Sequence, residues 1–356
     1  MNKEGIVNVN QFSYLVKNDN WTTAVKEAIN KAKNSVVGKI LPIFFPPNGT
    51  YTLTEPLPLY SGLFFYSTMN NSEFANKAII KNEVSDIFTF PNGDVTDVNF
   101  IGLEFRGNAV TKSTRFIQSQ KLDNGHILKY SAISHCGFNF FLDVIQGRLL
   151  GTKIERNFIN NGLGSFEISG SDCIISHNFI DNASAIEKNS FLVSLRGLSL
   201  SKFENNFLTG SIETGKGCMP LMIEGGMGLV ITSNWFDFSE GSGLYLLNTE
   251  SNVLRDNTFR KNVRAPFDQY TAIITMFDTR NCLFTGNQFI DQPIGAKTFS
   301  FRKIIGGTKK ITIRDNVYAT GYDLIIEKPV GESSDIFIDE PTSTYSKTSD
   351  NKNKPN

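Results

Sequence analysis

The chain has 356 residues, 40% hydrophobic and 20% charged, which excludes a largely disordered protein and allows two ordinary domains or one elongated repeat domain. Lys plus Arg equals Asp plus Glu at 35 each, so the total charge gives no broad attraction to nucleic acid or an anionic membrane, and no stretch approaches the apolar length of a bilayer span. The 30 Phe, 10 Tyr and 29 Gly, with only 2 Trp, suit short packed strands and tight turns better than long amphipathic helices.

The start, MNKEGIVNVNQFS, has no apolar run after its charges, so no classical signal peptide is expected. After a strand in VNVNQF, residues 20–33 (NWTTAVKEAINKAK) predict a helix. Trp21, Val25, Ala28, Ile29 and Ala32 share one face, and Asn20 is placed to cap the N-terminus. A strand in ILPIFFPPNGTYTL follows. Cys136, Cys173, Cys218 and Cys282 are widely scattered with no CxxC or CxxH pair, which argues for buried thiols and against a zinc site or a disulfide framework.

From the middle of the chain onward one pattern returns: an apolar alternation, then Asn, then an aromatic. It centres on Asn157, Asn178, Asn206, Asn234, Asn257, Asn287 and Asn316. Before each lies another alternating strand, such as SFEIS (165–169) or PLMIE (220–224), and after each Asn a short third one, such as FINN or FLTG. Three short strands cannot bury their own inner face. Stacked in parallel at about 4.8 Å per rung they form a continuous interior. Asn suits the turn between the second and third strands because it tolerates a left-handed φ, and its amide can bond from rung to rung. The aromatic at the next one or two positions is expected to stack inside. The fold class expected is therefore all-β, a parallel β-helix solenoid with an N-terminal capping helix. Residues 1–95 form a cap region with the strand, helix and first rungs, 96–340 the β-helix, and 341–356 a disordered polar tail.

These repeats, from about residue 96 to 328, resemble the right-handed parallel β-helix proteins of the pectate-lyase-like superfamily, which includes pectate lyases, polygalacturonases and bacteriophage tailspike depolymerases. The helix 20–33 and the FPPNGTY segment resemble the start of many such chains. The Gly-Asp-Gly-rich run common before that helix is replaced here by SYLVKND, so the likeness is to the superfamily and not to a close relative. The resemblance implies a polysaccharide substrate, an extracellular or virion-associated location, and room for a homotrimer, although no C-terminal trimerisation segment is visible.

Length varies mainly between the third strand and the next first strand, as in ASAIEKNS, SIETGKGC, VRAPFDQY and DQPIGAK. Those inserts border the sheet of first strands, so its outward polar residues are the candidates. About nine or ten positions before the ladder Asn stand Ser169, Arg196, Glu224, Asn248 and Asp278, with Glu167 eleven before. Glycoside hydrolysis needs two carboxyl groups. Glu224, Asp278 and Glu167 are the catalytic candidates, two rungs (about 9.6 Å) apart in pairs, a spacing nearer an inverting than a retaining hydrolase. Arg196, Asn248, Tyr245, Asp268 and Tyr270 are candidates for substrate binding, and Asp143 is a further carboxylate. A second acidic row, Asp181, Asp237 and Asp291, follows the ladder Asn and reads as a solvated face. His135 and His177 read as turn residues.

The function expected is endo cleavage of a bacterial capsular or extracellular polysaccharide by a hydrolase without cofactor. Alternatives are a uronate lyase or epimerase, for which Ca²⁺ could be bound, and a non-catalytic glycan-binding β-helix. No metal site, membrane or nucleic-acid partner is expected.

Overall fold

The computed structural model describes residues 5–35, 39–68, 77–82, 86–108, 114–118, 125–160, 164–181, 191–210, 218–264, 271–302, 307–319, 324–327, 335–340 and 345–347. The chain divides into two compact units, Met1–Ser184 and Ala185–Asn356. Each is a stretch of parallel β-helix in which first, second and third strands form three parallel sheets. In the N-terminal unit one full rung runs through Asp143–Leu150, Lys153–Glu155 and Phe158–Asn160, and the next through Phe166–Ser171, Ile174–Ser176 and Phe179–Asp181. In the C-terminal unit Met219–Glu224, Val230–Thr232 and Trp235–Asp237 do the same.

The asparagines form the expected ladder, fully buried. In the C-terminal unit each Nδ2 donates to the next Oδ1: Asn206 to Asn234 at 3.0 Å, Asn234 to Asn257 at 3.0 Å, Asn257 to Asn287 at 3.0 Å and Asn287 to Asn316 at 2.9 Å. Each Oδ1 also accepts the preceding asparagine's backbone N–H, as Asn234 does from Asn206 at 2.9 Å. The left-handed residue, however, is not the Asn but its predecessor: Arg156, His177, Asn205, Ser233, Asp256, Gly286 and Asp315 all have φ between 55° and 66°. One turn position bends the chain and the next bonds it.

The interior aromatics lie two positions after the Asn. Phe236, Phe259, Phe289 and Tyr318 stack in the C-terminal unit at 4.9, 5.3 and 5.3 Å. Residues directly after the Asn stack on the outside instead, Phe158 on Phe179 at 5.1 Å and Phe207 on Trp235 at 6.1 Å. Strand alternation sends neighbouring positions to opposite faces, so only one of the two expected positions faces inward.

At the N-terminus helix α1 (Thr22–Lys33) buries Val25, Ala28, Ile29 and Ala32, and Asn20 Oδ1 accepts the Thr22 N–H at 2.9 Å. The strand read in VNVNQF is only Val7–Asn8. The Asn8 side chain accepts the Asn10 N–H and turns the chain into a 3₁₀ helix, Val9–Leu15. At the other end, a strand Tyr345–Lys347 pairs with Leu324–Glu327 inside the tail expected to be disordered. The open edge of a last rung presents backbone groups that even a polar segment can pair with.

Candidate active site

The outer face of the first-strand sheet in the N-terminal unit carries two polar groups. Gln118, Gln146 and Glu167 are in register on successive rungs. Gln118 Nε2 donates to Gln146 Oε1 at 3.2 Å, and Gln146 Nε2 donates to Glu167 Oε2 at 2.5 Å. Three residues before Gln146 stands Asp143. In a regular strand a three-residue offset points to the opposite face. Here the N–H groups of both Val144 (2.8 Å) and Ile145 (3.1 Å) donate to the single carbonyl of Ser165, and both side chains are buried. This bulge brings Asp143 onto the same outer face as Gln146 and Glu167.

Arg115, opposite Asp143 in register, places Nε 3.8 Å from Asp143 Oδ2 and one terminal nitrogen 4.0 Å from Asp86 Oδ1. Asp86 Oδ1 also accepts the Arg115 backbone N–H at 3.0 Å. Burial holds the Asp86 carboxyl above its ordinary range, against the pull of Arg115. Gly164 makes room for this cluster, since a Cβ there would lie 2.5 Å from Asp143 Oδ1.

In the C-terminal unit Arg196 and Glu224 pair in register, Nε to Oε2 at 3.6 Å, with their side chains 44% and 41% exposed. Two of the expected neighbours lie elsewhere. Glu224 is opposite Leu247, and Leu247 is opposite Phe277, so Asp278 and Asn248 each sit one residue beyond that row. Asp278 has φ 47°, is 9% exposed, and its Oδ1 accepts the Gly307 N–H at 2.6 Å. It is a turn-holding carboxylate one residue beyond the Glu224 row. Asn248 is exposed in the same left-handed turn conformation, φ 49°. Merging nine and ten positions before the Asn combined two different places in the rung.

Tyr245, expected to stack on sugars, is 4% exposed and packs with Met219, Met222 and Phe277 in an apolar cluster on the outside of its sheet. Asp268 and Tyr270 lie outside the described residues. Sequence reasoning passed over Glu327, which takes Lys297 at 2.9 Å, Ser300 at 2.9 Å and Arg302 at 2.8 Å and whose pKa lies below the ordinary range: burial pushes it up, and these three partners pull it further down. Its outward place in LIIE, opposite Ser300, was readable only with the register known. Asp86 and Gln118 precede the first ladder Asn, and Gln146, eleven before Asn157, was missed because only the charged members of that row drew notice.

In the second acidic row Asp237 is 1% exposed and held by both Nε and a terminal nitrogen of Arg260. Asp181 is half-buried, with its carboxyl raised by burial. His135 and His177 are left-handed turn residues. Among the described residues no group of three or more His, Cys, Asp or Glu can hold a metal ion, and no helix is long and apolar enough to cross a membrane.

A family model described as a right handed beta helix region matches residues 123–317, more than half of the chain. The chain belongs to the right-handed β-helix family. Solved structures share this β-helix at low sequence identity. A mutant of DFA-IIIase from Arthrobacter chlorophenolicus A6 in complex with DFA-III is 14% identical, with 90% of this chain and 86% of that one covered and a TM-score of 0.65. The same enzyme without its lid, in complex with GF2, is 13% identical, with coverage of 96% and 100% and a TM-score of 0.69. The Azotobacter vinelandii mannuronan C-5 epimerase AlgE4 A-module is 11% identical, with coverage of 94% and 99% and a TM-score of 0.53. No curated protein matches the β-helix chain by sequence.

Proposed function

We propose that the protein is a polysaccharide-degrading enzyme, a glycoside hydrolase cutting a bacterial capsular or extracellular polysaccharide internally, with Asp143 and Glu167 as its carboxyl pair. The observation that carries this reading is the bulge at Val144–Ile145, which turns Asp143 to the face where Glu167 stands one rung on. Backbone positions two to three residues and one rung apart lie on the order of 10 Å from each other. With side-chain reach, that suits the roughly 6.5–9.5 Å of an inverting hydrolase better than the roughly 5 Å of a retaining one. Gln146 orients Glu167 and Arg115 orients Asp143. The carbohydrate ligands and substrate named for the structurally similar DFA-IIIase and mannuronan epimerase support a saccharide as substrate. The reading includes action outside the cell or on a virion, as a homotrimer, without a cofactor. Glu224 and Arg196 are substrate contacts of the C-terminal unit.

A uronate lyase or epimerase is the second reading, favoured by Arg115, whose buried Nε has no hydrogen-bond partner and could neutralise a uronate. Digestion of purified capsular and extracellular polysaccharides separates the readings. New reducing ends without unsaturated products support hydrolysis, unsaturated uronate absorbing in the ultraviolet marks a lyase, and binding without product marks an adhesin. Asp143→Asn and Glu167→Gln should each lower the rate by about 10² to 10⁴. A loss below about tenfold in both, with the fold intact, rejects this pair.

A further inference from the structure

The N-terminal cap holds a cleft of about 390 Å³ that the depolymerase reading does not use. Its size falls within the range of small-molecule sites. Trp21 supplies the ring wall and meets the buried Tyr51 ring edge to face, centroids 4.9 Å apart and planes at 74°. The Pro46–Pro47 turn, Asn10, Ser13, Asn48 and Thr50 complete the lining.

The rings are held in place by the chain around them. The Tyr51 hydroxyl donates to Pro46 O at 3.2 Å or Asn10 Oδ1 at 3.3 Å. Gly49 lets the ring lie over the turn, because a Cβ there would come within 2.7 Å of the Tyr51 hydroxyl. Burial pushes that hydroxyl up to about 12, so it stays a neutral donor. Trp21 is half-buried, and Ser13, Asn10, Asn48 and Thr50 are exposed at the rim. Among the described residues no charged side chain lines the cleft. Rigid apolar ring surface beside amide and hydroxyl groups matches a ligand with C–H faces and many hydroxyls, and the lack of charge disfavours an ionic one.

We infer that this cleft is a binding subsite for a neutral saccharide, separate from the carboxylates of the first-strand sheet. Binding here is independent of catalysis at Asp143 and Glu167, and is tested without any turnover. Trp21 and Trp235 are the two tryptophans of the chain. In a Trp235→Phe protein, Trp21 alone therefore reports on ligand by fluorescence.

Titration with neutral gluco-, galacto-, manno- and fructo-oligosaccharides should give a saturable change with at least one of them, and uronate oligosaccharides of equal length should bind more weakly. Ser13→Phe, at an exposed rim position, should fill the cleft and abolish the response without adding a second fluorescent tryptophan or lowering the melting temperature. Asn10→Ala should weaken binding about 3- to 10-fold. Saturation-transfer NMR on the wild-type chain gives the same comparison without a tryptophan change. Four results overturn the inference: no saturable response to any neutral saccharide, equal or tighter binding of uronates, unchanged binding in Ser13→Phe, or a signal that follows protein concentration without sugar, which would mean that a second copy fills the cleft.

Discussion

Glu340 closes the asparagine ladder of the C-terminal unit: its carboxylate accepts both the backbone N–H of Asn316, at 3.0 Å, and the side-chain Nδ2–H, at 2.6 Å. Tyr318 donates to the same carboxylate at 3.2 Å. Burial nevertheless raises this carboxyl above its ordinary value, outweighing the three donors. The folded state then holds the proton more tightly than the unfolded state, so this group's contribution to stability is present at low pH and is lost as pH rises through the folded value. Denaturation midpoints from about pH 4 to about pH 7 should show that slope in the wild type and a flatter one in Glu340→Gln. Parallel slopes would mean that the carboxyl is not perturbed.

Asn234 and Ser233 divide the work of one turn, and substitution should separate the two roles. Asn234→Leu removes the Nδ2 donor to the Phe203 carbonyl, the Oδ1 acceptor of the Asn206 N–H groups and one of the two donors to Asn257 Oδ1, and should cost about 2–4 kcal/mol in urea denaturation. Ser233→Gly removes a side chain from a φ of 56° and should be neutral or stabilise by up to about 1 kcal/mol. A stable Asn234→Leu protein would contradict the ladder.

Asp278→Ala removes the acceptor of the Gly307 N–H and should lower stability by about 1–3 kcal/mol. Activity per folded molecule should stay within about twofold, because Asp278 makes no transition-state contact in the proposed site. A hundredfold loss with the fold intact would return Asp278 to the catalytic pair.

All four cysteines are buried, and burial pushes the thiols of Cys136, Cys173 and Cys282 up to about 11. Thiolate is the reactive form, so an aromatic disulfide reagent at neutral pH should label none of them until denaturant is added. Rapid labelling of the native protein would show a thiol accessible on the surface.

The Asn-plus-aromatic pattern revealed the solenoid because a buried amide ladder requires the same residue type at every rung. The outer face carries no such demand. Arg196 and Glu224 could be placed there because each stands ten positions before its Asn, but Asp278, at nine, belongs to the turn. Asp143 could be named as a further carboxylate, but its direction could not be read. Its direction depends on two N–H groups sharing the Ser165 carbonyl, a feature of paired rungs and not of one strand's sequence. Tyr245 looked available because strand alternation points it outward, whereas Met222 and Phe277 bury it there.

In the C-terminal unit the steps between ladder asparagines are 28, 23, 30 and 29 residues, yet the amide contacts remain at 2.9–3.0 Å. The scaffold therefore keeps time by hydrogen bond and not by residue count. In sequence the surplus residues fall between a third strand and the next first strand, as between Phe207–Thr209 and Met219–Glu224. Doubling such a segment adds only about 0.6 kcal/mol of closure entropy. Grafting longer corner segments should thus reshape what the groove admits while leaving every rung in place, which makes substrate range in this protein separable from the stability of its frame.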